Sequence, residues 1–285
     1  MNAQVALTAK SRYELSRHVL ACLGFVALAC VVSPAWAQNI SLGTASSFGV
    51  LGGSTVTNTG PTVVTGNVGV SPGTSIVGFP PGSILPGSGS QHSADAVALQ
   101  AQSDLTAAYN DAATRVCGTT IAGGLLGGLT LTPGVYCMGA GDLTGTLTLN
   151  GAGVYIFQTA SSLTTAPGSA VVLINGAAAC GVWWQVTSSA TIDTTTAMQG
   201  NILALTSITL NNGASLNGRT LARNGAVTLN NNNVVACSGG TPPAVPPVPL
   251  VPLSLAVPTL SEWAMVMLAA LLAIAGFAAM RRKAR

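Results

Sequence analysis

Charged and aromatic residues are scarce along this chain of 285 residues. Only 6% of the residues are charged and 5% are aromatic, whereas 48% are hydrophobic. Between Gln38 and Ala256 there are three Arg and five Asp residues but neither Lys nor Glu, and seven of the ten basic residues lie at the two ends of the chain. Such a central surface offers little to a phosphate backbone, so the composition argues against a nucleic-acid partner.

The clustered side chains that enzymes and metal sites need are lacking as well. Nucleophile-elbow, phosphate-loop and metal-helix motifs do not occur. His92 is the only histidine between Gln38 and the C-terminus. In the repeat region the candidates are Asp142, Asp193, Arg219 and Arg223, and no repeat spacing pairs them. We expect no enzyme activity, no cofactor and no metal, with a glycan-active enzyme as the weakest alternative.

A short segment of alternating apolar and polar residues recurs at nearly constant spacing. Its first and third residues are aliphatic or Ala, and its second and fourth are almost all Thr, Asn or Asp, which is typical of a strand with one buried face. Successive copies begin 18, 25, 18, 18 and 19 residues apart. A period near eighteen indicates a solenoid. The copies are 129–132, 147–150, 172–175, 190–193, 208–211 and 227–230.

The rest of each period repeats too. Residues 200–204 are matched eighteen residues later by 218–222, so one period holds about three short strands joined by Gly and Asn corners. Residues 48–70 have the same Thr-rich alternation and are predicted to form further coils. No helices alternate with these strands, as an α/β sheet would require. The fold class predicted is an all-β solenoid, a β-helix.

One helix and one irregular loop interrupt the repeat. The loop, 71–91, contains four Pro with many Gly and Ser, and we predict that it caps one end of the solenoid. The helix, 93–116, should begin at Ser93 as its N-cap and lie along one flank of the solenoid. Its predicted buried stripe is Val97, Ala101, Leu105, Ala108 and Ala112.

The N-terminal residues 1–37 have the features of a cleaved secretory signal. Basic residues precede an apolar run, and 35–37 supplies small residues for cleavage before Gln38. A retained transmembrane anchor is the alternative, although the apolar run is short. A lipoprotein site at Cys30 is a weaker alternative still, because Ala27 stands where such a signal usually has Leu.

The C-terminal region divides into a Pro-rich linker, 238–256, and a tripartite tail, 257–285. The tail places Pro258, Thr259 and Leu260 before an apolar stretch, 264–280, and a basic end. As a helix that stretch would rise about 26 Å, marginally enough to span a membrane. The tail resembles bacterial C-terminal sorting signals of the Pro-Thr-Leu type. That resemblance implies an exported, cell-surface protein that contacts the membrane and the sorting machinery, with transient anchoring in the inner membrane.

Four cysteines remain after signal removal, and an even number in an exported chain predicts disulfides. Four cysteines allow three connectivities. We favour Cys117 with Cys137, which bracket a single coil, and Cys180 with Cys237, which would fasten the last strand to a coil loop. Their spacings contain no close pair of the kind that zinc sites use.

Stacking of the coils would align the Thr residues of the repeated segment into a file about 4.8 Å apart. β-Branched Thr is stiff at χ1, so methyls and hydroxyls would be held in a flat, uncharged lattice. Such a lattice suits a partner that is itself a lattice of water. The file and the polar residues beside it are Thr130, Thr132, Thr148, Asn150, Thr191, Asp193, Thr209, Asn211, Thr228 and Asn230.

Several longer segments resemble the microbial β-helical ice-binding (antifreeze) protein family, from about residue 40 to 236. The resemblance implies a right-handed β-helix of roughly triangular section, a long helix alongside and a flat face that binds ice. Leu173 departs from the Thr file and Asp193 places a charge at its edge. The segments are 42–51, 65–73, 107–112, 131–136, 183–186 and 221–229.

We therefore expect an exported monomer, with 38–237 as the ice-binding domain, whose Thr file adsorbs to ice and inhibits its growth or recrystallisation. The file is favoured over the neighbouring strand, where Gln199, Asn217 and Arg219 would disturb flatness. The alternative is a cell-surface structural or adhesive β-helix without strong ice activity.

Overall fold

The computed structural model describes residues 39–237, and strands dominate this part of the chain. Strands of neighbouring coils pair in parallel and in register, as a β-helix requires. The predicted all-β solenoid with one helix alongside is confirmed. Among residues 39–237 no helix is long and apolar enough to cross a membrane. The predicted signal, 1–37, and the C-terminal segments beyond Cys237 lie outside the described residues.

The coils have three faces, each built from one strand of every coil. Face I is a seven-stranded sheet made of β2 (Thr55–Thr59), β5 (Ser75–Val77), β11 (Gly141–Leu143), β14 (Leu163–Thr165), β17 (Ala190–Ile192), β19 (Ile208–Leu210) and β21 (Val227–Asn230).

Faces II and III are continuous, because two long strands, β18 (Ala197–Ala204) and β20 (Ser215–Ala222), run from one to the other. Face II consists of their first halves with β3 (Val63–Thr65), β6 (Ser83–Ile84), β9 (Thr130–Leu131), β12 (Thr146–Asn150), β15 (Ala170–Ile174) and β22 (Asn233–Val235). Face III consists of their second halves with β1 (Phe48–Gly52), β4 (Asn67–Val70), β7 (Gln91–Ser93), β8 (Thr119–Thr120), β10 (Gly134–Met138), β13 (Tyr155–Thr159) and β16 (Val182–Val186).

Glycine allows the two long strands to turn the corner between faces II and III. Gly200 and Gly218 stack on each other in the register of β18 and β20, with φ of 106° and 152°. A Cβ added at Gly218 would lie 1.8 Å from the carbonyl oxygen of Gly200. Any side chain at Gly218 would therefore push two neighbouring coils apart.

The order of the coils in space differs from their order in the sequence. The first coil lies next to the last, because β2 pairs with β21 and β3 pairs with β22. From the first coil the chain builds outward to β5, β6 and β7. It then continues through the helix to β8 and returns coil by coil. The helix thus connects the strands of one end of the solenoid to those of the other.

The interior is filled by the inward residues of all three faces. Leu, Ile and Val from successive coils form one buried cluster. Inside it the rings of Tyr136, Phe157 and Trp184 stack, with centroid separations of 5.4 Å and 4.1 Å between successive rings. This continuous core gives the three faces a rigid support.

Helix α1 (Ala96–Thr114) covers face III and buries a second apolar cluster against it. Gln102 Nε2 donates hydrogen bonds to the carbonyl oxygens of Gly52 (2.9 Å) and Ala222 (3.1 Å). From the opposite side, Gln158 Nε2 donates to the carbonyl oxygens of Ala112 and Arg115. Two amide side chains therefore fix the helix to the edges of the sheet.

Three details of this region differ from the sequence prediction. Asp95, not Ser93, is the N-cap: its side chain accepts a hydrogen bond from the backbone N–H of Ala98, whereas Ser93 belongs to β7. Val97 is 40% exposed, while the other four residues of the predicted stripe are buried. The segment 71–91 is not wholly irregular, because its non-Pro stretches form β5, β6 and the start of β7 as the terminal coil.

Both predicted disulfides are confirmed. Cys117 and Cys137 are bonded with their Cα atoms 5.9 Å apart, and Cys180 and Cys237 with theirs 5.6 Å apart. The second bond ties the last described residue to the 3-10 helix that precedes β16.

Arg219 joins the first and last parts of the domain. Its side chain is buried, with Nε and Nη2 donating to the carbonyl oxygen of Ser46 at 3.0 Å and 2.8 Å. Nη1 donates to Asn201 Oδ1 at 2.8 Å, and Nη2 also donates to the carbonyl oxygen of Cys237 at 2.9 Å. Burial lowers the pKa of Arg219, but a guanidinium stays protonated over any working pH range. The prediction that Arg219 lies on an exposed strand surface is therefore wrong.

We expect Arg219→Met to lower the free energy of unfolding by about 2–3 kcal/mol. Met fills much of the same space but leaves the acceptors of Ser46, Asn201 and Cys237 without their donor. Arg223→Met is the matched control: Arg223 lies over the Tyr109 ring, 4.8 Å from its centroid, and its loss should cost about 1 kcal/mol or less. Urea unfolding measures both, and equal losses would contradict the assignment.

Candidate functional site

Two of the three faces are open to solvent within residues 39–237. Face III lies beneath α1, whereas the outward residues of faces I and II are exposed or half-buried. The candidate site must therefore lie on face I or on face II.

Face II presents its outward side chains in rows that follow the coil register. The strands β12 and β15 are five residues long, so each has three outward positions. The longest row crosses seven strands, a length of about 29 Å at the usual strand separation. Its members, in spatial order, are Thr146, Ala170, Ala197, Ser215, Asn233, Val63 and Ser83.

Beside that row, face II combines exposed apolar side chains with free hydroxyls. Four large aliphatic residues are left between 37% and 40% exposed, and all of them belong to its strands: Val63, Val172, Ile174 and Val235. The hydroxyls of Thr130, Thr146 and Thr148 make no hydrogen bond with any other described residue. None of the outward residues of these strands is charged. An exposed apolar surface of this kind usually marks an interaction site.

Face I presents a single regular file. Its short strands mostly expose one central residue each, and five of these in succession are Thr. The pairing places Asp142 at one end of the file and Val77 at the other. The five are Thr164, Thr191, Thr209, Thr228 and Thr57.

Negative charge lies at the margins of face I. Asp142 accepts a hydrogen bond from the hydroxyl of Thr144, and Asp193 Oδ1 accepts from Asn211 Nδ2 (3.0 Å) and from the backbone N–H of Thr194 (2.7 Å). The Asn211 bond and then the Thr194 bond lower the pKa of Asp193. Its carboxylate therefore remains charged at neutral pH, beside the Thr file.

The structure divides the predicted site between the two faces. Thr130, Thr148 and Asn150 belong to strands of face II, and Thr132 follows β9 there. The remaining six predicted residues belong to face I or to the corner that follows it, namely Thr191, Asp193, Thr209, Asn211, Thr228 and Asn230. The prediction of one continuous file is wrong.

Unequal coil lengths explain the error. The eighteen residues from Val172 to Ala190 do not complete a turn but cross from face II through face III to face I. In the register of face II, Thr148 pairs with Val172, whereas Leu173 packs against the core. Thr191 instead pairs with Thr164, which the repeat of 18 residues did not identify.

The acid sensitivity of the fold follows from three carboxyls. Hydrogen bonds from Ala98 N–H, Thr44 N–H and Asn211 Nδ2 are the main causes that lower the pKa values of Asp95, Asp104 and Asp193 respectively. Lowered native pKa values mean that the unfolded chain binds more protons in acid.

We expect the melting temperature to be nearly constant above about pH 5, to begin falling near pH 4, where unfolded Asp titrates, and to keep falling through the lower native values. Calorimetry from pH 7 to pH 2 measures this dependence. Asp104→Asn should flatten it, and a melting temperature that rises on acidification would contradict the assignment.

A family model described as ice-binding-like matches residues 50–235, which include nearly all strands of the three faces. The chain belongs to the ice-binding-like family. An ice-binding protein of Nostoc sp. (strain HG1) is 49% identical over 228 residues, which cover 78% of this chain and 83% of the relative. An ice-binding protein of Colwellia sp. is 37% identical and covers 69% and 83% of the two chains.

Solved structures agree with this family assignment. A crystal structure of an ice-binding protein from an Antarctic biological consortium has a TM-score of 0.68 at 49% identity, covering 71% of this chain and 93% of that one. The ice-binding protein of the ascomycete Antarctomyces psychrotrophicus has a TM-score of 0.68 at 40% identity, covering 71% and 100%. Residues 256–282 separately match the IPTL-CTERM motif, which confirms the resemblance of the tail to a sorting signal.

A hydrogen-bonded Ser, His and Asp series in this family member was not identified from the sequence. Ser90 Oγ lies 3.0 Å from His92 Nε2, and His92 Nδ1 lies 2.8 Å from Asp95 Oδ2. The other oxygen of Asp95 caps α1, and the backbone N–H of Ser90 donates to Asn67 Oδ1. The series thus ties the terminal coil to the start of the helix. Residues 39–237 contain no group of His, Cys, Asp and Glu side chains placed to hold a metal ion.

Proposed function

We propose that this protein is an exported ice-binding protein that adsorbs to ice through face II and inhibits ice growth or recrystallisation. The observation that carries the proposal is the composition of face II. It is broad, open to solvent and free of charge, and it mixes exposed aliphatic groups with hydroxyls that have no protein partner.

The physical argument starts from the first layer of water. Apolar groups restrict the orientations of neighbouring water, and hydroxyls at fixed positions hold individual molecules by hydrogen bonds. On face II the methyls of Ala170 and Ala197 alternate with the hydroxyls of Thr146 and Ser215 at the strand separation of about 4.8 Å. Water ordered by this pattern can join an ice surface without being displaced.

Rigidity and neutrality both favour adsorption. Each coil is held by the parallel ladder and by the packed core, so the side chains lose little freedom when ice is bound. A charged group would instead hold its own oriented hydration shell, which does not match the ice lattice. The burial of Arg219 removes the one cation expected near face II, and Gln199 is half-buried, whereas face I has Asp142 and Asp193 at its margins.

The finer points of location and assembly follow from the ends of the chain. The IPTL-CTERM match supports export, and we propose a cell-surface protein, anchored for a time in the inner membrane by its tail. We propose that it acts as a monomer, without a cofactor, a nucleic-acid partner or enzyme activity.

Thermal hysteresis of the purified protein, with the shape of the growing crystal, tests the proposal. We expect faceted crystals and a measurable gap between melting and growth temperatures. Unfaceted crystals and no gap would leave the structural or adhesive β-helix as the function. Release of reducing sugar from a polysaccharide panel would establish a glycan-active enzyme instead.

A further inference from the structure

Face I remains after face II has been assigned, and its Thr file is more regular than any row of face II. Five Thr residues occupy five successive strands in register, a length of about 19 Å at the usual strand separation. Three-residue strands with one outward residue do not by themselves demand Thr at every coil.

The hydroxyls separate this file from Thr residues that serve the fold. Buried Thr159, Thr165, Thr196 and Thr220 all hydrogen-bond to other parts of the coil. In the file, by contrast, only the hydroxyl of Thr164 bonds to another described residue, the carbonyl oxygen of Gly141 at 3.4 Å. The other four hydroxyls are left for solvent.

Face I is also continuous with face II. A short turn leads from β19 to β20, and a similar turn leads from β21 to β22. Amides line this corner, where Asn231 Nδ2 donates to Asn212 Oδ1 at 3.2 Å and Asn211 Nδ2 donates to Asp193 Oδ1. These bonds fix the angle between the two faces and place no aliphatic or basic side chain at the corner.

We infer that the Thr file of face I is a second ice-contact surface, which binds ice planes of a different orientation from those bound by face II. The inference rests on the proposed function. Stiff Thr side chains in one register supply a methyl and a free hydroxyl at each coil, the same chemistry as on face II but in a single row. Asp142 and Asp193 at its margins keep the contact narrow. One molecule would then adsorb at crystal edges, where two planes meet.

Fluorescently labelled protein on single-crystal ice hemispheres tests this, because each bound plane gives its own fluorescent patch. Thr209→Tyr blocks the middle of the file, and Ala197→Tyr blocks the middle of face II. Ser103→Tyr, on the exposed side of α1, is the matched control for the added ring. We expect each blocking variant to lose a different subset of patches and the double variant to lose all of them. Thr228→Tyr replaces Thr209→Tyr if the latter melts at a lower temperature than the wild type.

Two results would overturn the inference. If Thr209→Tyr and Thr228→Tyr both give the wild-type patches while Ala197→Tyr gives none, ice contact belongs to face II alone and the proposed function stands. If the wild type itself gives no patches, the proposed function fails and the second surface fails with it.

Discussion

Replacing Ala197 by Tyr should lower thermal hysteresis at equal protein concentration by roughly tenfold, the change produced by losing about 1.4 kcal/mol of adsorption free energy. Ala197 is exposed in the middle of the longest row of face II, between Ala170 and Ser215. A Tyr ring there projects above its neighbours and prevents a flat crystal from contacting them. The melting temperature should hardly change, because exposed substitutions usually cost within about 0.5 kcal/mol and Tyr is well tolerated in strands.

The control for this variant is again Ser103→Tyr, which adds the same ring on the exposed side of α1. It should retain the hysteresis of the wild type. Unchanged hysteresis in Ala197→Tyr, at an unchanged melting temperature, would exclude face II as the principal contact surface. If Thr209→Tyr then lost the activity, the Thr file of face I would be that surface.

Removing the disulfide between Cys180 and Cys237 should lower the free energy of unfolding by about 4 kcal/mol. On the chain-entropy model the bond closes a loop across a separation of 57 residues and so restricts the unfolded chain. The double variant Cys180→Ser with Cys237→Ser should show this loss in urea unfolding. Ser leaves a polar atom near Arg219 Nη1, which lies 3.1 Å from Cys237 Sγ in the native protein.

The other disulfide provides a scale for this effect. Cys117 and Cys137 are separated by 20 residues, so their removal should cost about 3 kcal/mol on the same model. A larger loss from Cys117→Ser with Cys137→Ser than from the first pair would contradict the entropic account. Free thiols in the exported wild-type protein would contradict both pairings.

Local chemistry made much of the fold predictable. Alternating apolar and polar residues, Gly and Asn corners and the periodic stripe of the helix each depend on residues close in sequence. The disulfide pairing followed from the same coil boundaries. The helix start was misplaced by two residues because Ser93 and Asp95 are both suitable caps, and only the pairing of β7 with β4 assigns Ser93 to a strand.

The site was less predictable, because faces are defined by turns and not by residue counts. A coil that is lengthened, as between β15 and β16, shifts every later copy of an 18-residue repeat to another face. The adjacency of Thr57 and Thr228 depends on the first and last coils meeting in space, which no sequence period reveals. Arg219 likewise looked exposed, since its acceptors on Ser46 and Cys237 are far away in the sequence.

The most direct measurement is the partition of the purified protein between liquid and a slowly growing ice hemisphere. The wild type, Ala197→Tyr and Ser103→Tyr should be compared at equal concentration. We predict that the wild type and Ser103→Tyr are enriched in the ice fraction and that Ala197→Tyr is largely left in the liquid. Exclusion of folded, disulfide-bonded wild-type protein from the ice would contradict the account.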